Sequence, residues 1–208
     1  MKKLLLYIIL LLSLTGFAQA EKDSLFAKDI GEIYNTLKVM QHLERKVMEL
    51  YMMPVEERKP IEDAFHYYLI KRIIATNPVP STDILRFLEI YIQKDIPSDW
   101  KLFAEKVNNT NAKLLLSITD KYGYPSFKRL KKYAGISNDI IAINFAIRPN
   151  RYYKDLAKML EKEHKKGNVQ DAELEAFNVM ANRIAISTEE IQKRNKTSKK
   201  SIVVDNPY

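Results

Sequence analysis

"SLFAKDIGEIYNTLKVMQHLERKVMELYMMP", residues 24–54, decides the fold class. Phe26, Ile30, Ile33, Leu37, Met40, Leu43, Val47 and Leu50 return every three or four residues, and charged residues fill the other faces. That period lays one apolar stripe along one side of an α-helix. The stretch predicts a single long helix from Ser24 to about Met52. Gly31 is a weak point inside it, at about 1 kcal/mol relative to alanine. Pro54 ends it, because its ring clashes with the preceding turn and its nitrogen has no hydrogen to donate.

The same period recurs downstream. Pro60 opens a second helix at a favoured first-turn position, with Ile61, Phe65, Tyr68, Leu69 and Ile73 as its stripe. "TNPVPST", residues 76–82, is a turn-rich link, and Ser81 or Thr82 caps a third helix carrying Ile84, Leu85, Leu88, Tyr91 and Ile92. Pro97 and Ser98 repeat the stop-and-cap signal. A fourth segment runs from Asp99 to about Tyr122, with a break expected at "NNTN", residues 108–111. A short helix over Ser126–Tyr133 is closed by Gly135. Asn138 to Ile147 is apolar on nearly every face and reads as a central, buried helix. The next helix starts at Pro149 or Asn150 and ends in "KEHKKG", whose cations suit a helix C-terminus. A final helix spans Asp171 to about Ile186, with Leu174, Phe177, Met180, Ala181 and Ile184 on one side.

These segments predict an all-α protein, an irregular orthogonal bundle of about seven or eight helices. A split near residues 95–98 divides it into an N-terminal helical part, 21–97, and a C-terminal helical domain, 98–188. Residues 189–208 form a basic tail. "KRNKTSKK", Lys193 to Lys200, holds five basic residues and no acid, and no aromatic to stack on bases. It reads as a solvated tail, with an anchor for an anionic polymer as the weaker alternative and no specific nucleic acid implied.

Residues 1–20 read as a secretory signal peptide. Lys2 and Lys3 are the basic start, Leu4 to Leu14 the apolar run, and Ala18-Gln19-Ala20 the small-x-small cleavage site. The run is shorter than the ~20 residues that cross a bilayer. The expected destination is the periplasm or the medium. Taking 20 residues from 208 leaves 188, with 32 basic against 26 acidic side chains, a balance of +6. The chain has no cysteine, so no disulfide or thiolate zinc site is possible, and stability rests on the apolar core.

No catalytic or metal-binding constellation stands out. His42, His66 and His164 lie on separate predicted helices, and none has a partner at the spacing that puts two ligands on one face. No two glycines are close enough to cradle a phosphate, and no Gly-x-Ser-x-Gly elbow is present. The carboxylate pairs Glu56-Glu57, Glu161 with Glu163, and Glu189-Glu190 sit in charge-rich segments and read as solvated faces. No cofactor is implied. Of the twelve tyrosines, Tyr67, Tyr68, Tyr122, Tyr124, Tyr133, Tyr152 and Tyr153 mix with Arg72, Lys121, Lys128, Arg129, Arg148 and Arg151. Tyr and Arg together favour binding surfaces, but they also serve as half-buried packing residues, and packing is the reading preferred for this set.

"KYGYPS", Lys121 to Ser126, carries a resemblance. It is similar to an uncharacterised family of exported or envelope-associated bacterial domains, a domain of unknown function. In that family a helix ends in Lys-Tyr-Gly-Trp-Pro-Ser and is followed by Gln-His-Ala, Lys-Lys-Gly-Glu, Asp-Arg and a Tyr-Gly-Thr-Gln tail. Here Tyr124 replaces the Trp, and the third element stands as Lys165-Lys166-Gly167-Asn168. Arg183 follows Asn182 where the family has Asp. Asn144-Phe145-Ala146 lacks the His, and the tail is missing. The resemblance covers residues 99–187 and implies no known activity.

The corner itself reads structurally: Gly123 as a left-handed helix stop, Pro125 and Ser126 as the next first turn. The competing reading is a shallow binding site lined by Tyr122, Tyr124, Arg148 and Arg183. The chain is expected to be an exported, non-enzymatic protein that binds a protein partner or an envelope component. The alternative is an envelope hydrolase using carboxylates and Arg183.

Overall fold

A computed structural model of the chain describes residues 19–58, 99–135, 140–148 and 151–183. They build an all-α bundle, with no strand among the described residues. Helix α1 covers residues 19–28 and is followed by α2, Ile30–Met52. Residues 55–58 add one helical turn. The chain is described again from Asp99, which leads into α3, Trp100–Tyr122. Then come α4, Phe127–Ala134, α5, Ile143–Ile147, α6, Tyr153–Lys165, and α7 over residues 171–183.

The long N-terminal helix of the sequence reading is two helices, not one. The backbone breaks at Asp29, with φ −99° and ψ 15°. The Asp29 carboxylate accepts a hydrogen bond from the Tyr122 hydroxyl at 3.0 Å, so a contact distant in sequence holds the joint. Phe26, three residues before the joint, is fully buried in the core. Gly31, the anticipated weak point, lies inside α2 with open space around it.

α3 is the central rod. It packs along α2 and also touches α5 and α6, while α2 reaches α4. α2 and α3 run antiparallel, since Leu50 near the end of one meets Trp100 at the start of the other. Their apolar residues form two clusters. The larger joins Phe26, Leu37 and Met40 to Leu115, Tyr124, Phe145, Leu156, Leu160 and Phe177. The smaller joins Val39, Leu43, Val47 and Leu50 to Trp100, Ala104 and Val107.

Three further expectations meet the structure here. The break expected at residues 108–111 does not occur, and α3 runs through it. Its asparagines are used sideways: the Asn111 side-chain amide donates to the Met40 carbonyl at 3.4 Å, and Asn109 accepts from the Arg151 backbone N–H at 2.8 Å. The apolar run before Pro149 is buried at Ile140, Ala142, Ile143, Phe145 and Ala146, but among its described residues only Ile143–Ile147 is helical. Arg148 leaves the helix in an extended conformation, as a residue before proline does. α4 matches its expected span to within a residue, and Gly135 closes it at φ 66° in the left-handed region. The second and third expected helices, the split at 95–98 and the basic tail lie outside the described residues.

Candidate functional site

The corner between α3 and α4 gathers most of the buried polar chemistry. α3 closes with the Gly123 N–H on the Thr119 carbonyl at 2.8 Å. Gly123 then takes φ 78° and ψ 162°, which corrects the left-handed stop expected from sequence. That region is open essentially to glycine alone. A second constraint acts at the same atom. A Cβ there would stand 2.9 Å from Arg129 Nη1, 3.1 Å from Asn168 Nδ2 and 3.3 Å from Glu163 Oε2. Glycine is needed both for the angle and for the close approach of three polar side chains.

Arg129 holds the corner from below. Its guanidinium donates to the Tyr122 and Tyr124 carbonyls, each at 3.0 Å, and to Asp23 Oδ1 at 2.7 Å. It also stacks on the Phe26 ring at 3.9 Å, and Phe26 meets Tyr133 edge-on at 5.6 Å. Burial pulls the Arg129 pKa down, and the Asp23 carboxylate pushes back. The planar fork suits this task, because one group must reach two carbonyls and one carboxylate together. Ser126 caps α4 at its start, and its N–H returns to the Tyr124 carbonyl at 2.9 Å across Pro125.

Glu163 holds the corner from above. Its Oε2 accepts from the Tyr124 N–H at 3.1 Å and from the Asn168 side-chain amide at 2.7 Å. Its Oε1 accepts from Lys166 at 2.6 Å. Burial alone would raise its pKa, but Lys166, Asn168 and the Tyr124 N–H outweigh it and hold the carboxyl below the ordinary value. The expectation that Glu161 and Glu163 form a solvated face therefore fails for Glu163, which is 2 % exposed. Its sequence signal was slight: Lys166 one turn on, and Asn168 beyond a glycine. Arg129 had a clearer one, three residues after the Ser126 cap on a helix of eight.

Tyr124 is completely buried, and burial together with the facing Glu173 carboxylate drives its hydroxyl well above the usual value. Glu173 accepts from the Gln170 N–H at 3.0 Å, and burial raises its own pKa. Tyr122 is buried at the other side of the corner, where burial raises its pKa and its hydroxyl is held on Asp29. Both predicted tyrosines thus belong to the corner as internal supports. Arg148 does not. It pairs with the buried Glu44 at 2.5 Å, and Glu44 stands fifteen residues along α2 from Asp29, about 22 Å of helix rise. Burial raises the Glu44 pKa, with Arg148 opposing it. Arg183 is the last described residue of α7 and is exposed. Tyr122 and Tyr124 share the corner, and Arg148 stands apart from them.

No family model, curated protein or solved structure matches the chain.

The stretches Lys121–Ser126 and Lys165–Asn168 meet in space: Asn168 and Tyr124 share the Glu163 carboxylate. As to other chemistry, among the described residues no group of three His, Asp or Glu is placed to hold a metal ion. His164 instead pairs with Asp171 at 2.7 Å and ties α6 to α7. Among the described residues no helix is long and apolar enough to cross a membrane.

Proposed function

We propose that the chain is an exported helical protein that binds a protein partner or envelope component and performs no reaction of its own. The observation that carries this reading is an apolar end of the α2–α3 pair. Met52 is 78 % exposed, Val55 67 % and Leu102 61 %, and Tyr51 stands beside them. All four lie where α2 finishes and α3 begins, next to the smaller core cluster. Large apolar side chains left exposed at one end of a helix pair supply contact surface for a partner. The polar groups argue in the same direction. Arg129 and Glu163, two of the buried charges of the corner, spend their bonds on backbone and neighbours and point no free pair at a substrate. Arg183, which a hydrolase reading needs beside carboxylates, is exposed on α7.

The test places a photo-crosslinking residue at position 52 or 102, with exposed Lys154 as the control position. Crosslinking to one envelope protein from 52 and 102 but not 154, abolished by Met52→Asp with Leu102→Asp, is the expected result. Equal labelling from all three positions would refute the binding reading. Export is checked by N-terminal sequencing of protein from the periplasmic fraction, which should begin at Glu21.

A further inference from the structure

A recess of about 310 Å³ opens in the groove between α3 and α6, beside the corner and distinct from the apolar end. Lys22 of α1 and Lys158 and Lys162 of α6 stand around it, and Thr119, Leu116 and Met159 also line it. Lys158 and Lys162 are one turn apart, so both ammonium groups project from the same face of α6. Two acids also border the recess, Asp120 and Glu163. Glu163 is neutralised by Lys166 and has both oxygens engaged. Among the described residues that line the recess, Asp120 is then the one acid left to oppose three cations. Lys22 donates to the Asp120 backbone carbonyl, and an ammonium has two further hydrogens to offer.

Thr119 is the second, independent feature. It is 3 % exposed, and its hydroxyl makes no hydrogen bond among the described residues. A buried hydroxyl without a partner loses free energy. The oxygen is turned away from the open recess, and a χ1 rotation, which threonine in a helix allows, would bring it to a ligand oxygen there. Such a group beside three ammonium ions calls for an acceptor with several oxygens and more than one negative charge. A phosphate monoester fits: it is dianionic near neutrality, and lysine is a point-charge partner for it. A carboxylate has two oxygens and one charge, fewer than the four donors supply. Leu116 and Met159 leave an apolar wall for the organic part of the ester.

We propose that this recess binds a phosphate monoester, with Lys22, Lys158 and Lys162 holding the phosphate, Thr119 donating to one of its oxygens, and Leu116 with Met159 receiving its organic body. The proposal does not depend on the partner reading above, because it concerns another face.

Calorimetric titration of the purified protein at fixed ionic strength tests it, with phenyl phosphate and inorganic phosphate as probes. Phenyl phosphate is expected to saturate with a Kd on the order of 1 mM or below, at least threefold tighter than inorganic phosphate. Lys158→Gln with Lys162→Gln should weaken it at least tenfold, and Thr119→Val at least threefold, with unchanged melting curves. Asp120→Asn should tighten it about twofold, a gain that misfolding cannot imitate. Vesicles containing phosphatidic acid form the second arm. Co-sedimentation lost in the double lysine variant assigns the phosphate to a lipid headgroup, and its absence assigns it to a soluble ester. No saturable binding of either probe, or binding that the lysine and Asp120 variants leave unchanged, overturns the proposal.

Discussion

At the scale of single residues, the corner is a place where backbone and charge constrain each other. Gly123 holds an angle that costs a side-chain-bearing residue about 1–3 kcal/mol, and it also leaves room for Arg129, Asn168 and Glu163. Gly123→Ala should therefore destabilise the protein by more than about 2 kcal/mol. Chemical denaturation measures it, and an unchanged midpoint would contradict both arguments at once. Glu163 makes a pH prediction with a definite sign. Its folded pKa lies below its ordinary value of 4.5, so the stability it contributes is complete above the unfolded pKa. That contribution drains away as the pH falls through the folded pKa. Glu163→Gln should cost about 1–3 kcal/mol at pH 7, because its amide would turn a donor toward Asn168 or the Tyr124 N–H. The gap between parent and variant should narrow as melts are repeated from pH 7 to below pH 4. A gap that stays constant would mean the carboxylate charge is not what matters.

At the scale of elements, ends were easier to read than interiors. Asp99 precedes α3 and accepts from the Lys101 and Leu102 N–H groups at 2.9 and 3.1 Å. Asp99→Ala should cost about 1 kcal/mol by loss of that cap, seen as a lower melting temperature with an unchanged fold. An equal stability of the two proteins would show that water satisfies those N–H groups as well. Proline, glycine and serine announced α4 almost to the residue, because each acts on the backbone next to it. The apolar period announced α2, α3, α6 and α7, because it records which face is buried. What stayed hidden depends on partners remote in sequence. The joint at Asp29 is held by Tyr122, and the unbroken course of α3 is supported by Asn109 and Asn111 reaching Arg151 and Met40. Local propensity saw only polar residues there. The network of Asp23, Arg129, Glu163 and Asn168 was invisible for the same reason: its members span 145 positions, 23 to 168, and charge in a helix ordinarily means solvent.

At the scale of the whole molecule, α2 and α3 are the shared members of both apolar clusters. Leu37 faces the larger cluster and Leu43 the smaller, and each is fully buried. Six residues part them, less than two helical turns, so neither cluster can open without disturbing the rod they share. Truncating either leucine to alanine should cost about 2–5 kcal/mol, and the loss should appear in one cooperative transition. Among the described residues, α6 and α7 contribute to the larger cluster and not to the smaller, through Leu156, Leu160 and Phe177. Hydrogen exchange should then rank the elements. Amides of α2 and α3 between the two clusters should exchange only through global unfolding, and those of α7 should open earlier at lower free energy. Leu43→Ala should lower the protection of α2, α3 and α6 together. If it sped exchange around the smaller cluster and left α6 untouched, the two clusters would be independent folding units and α3 merely their tether.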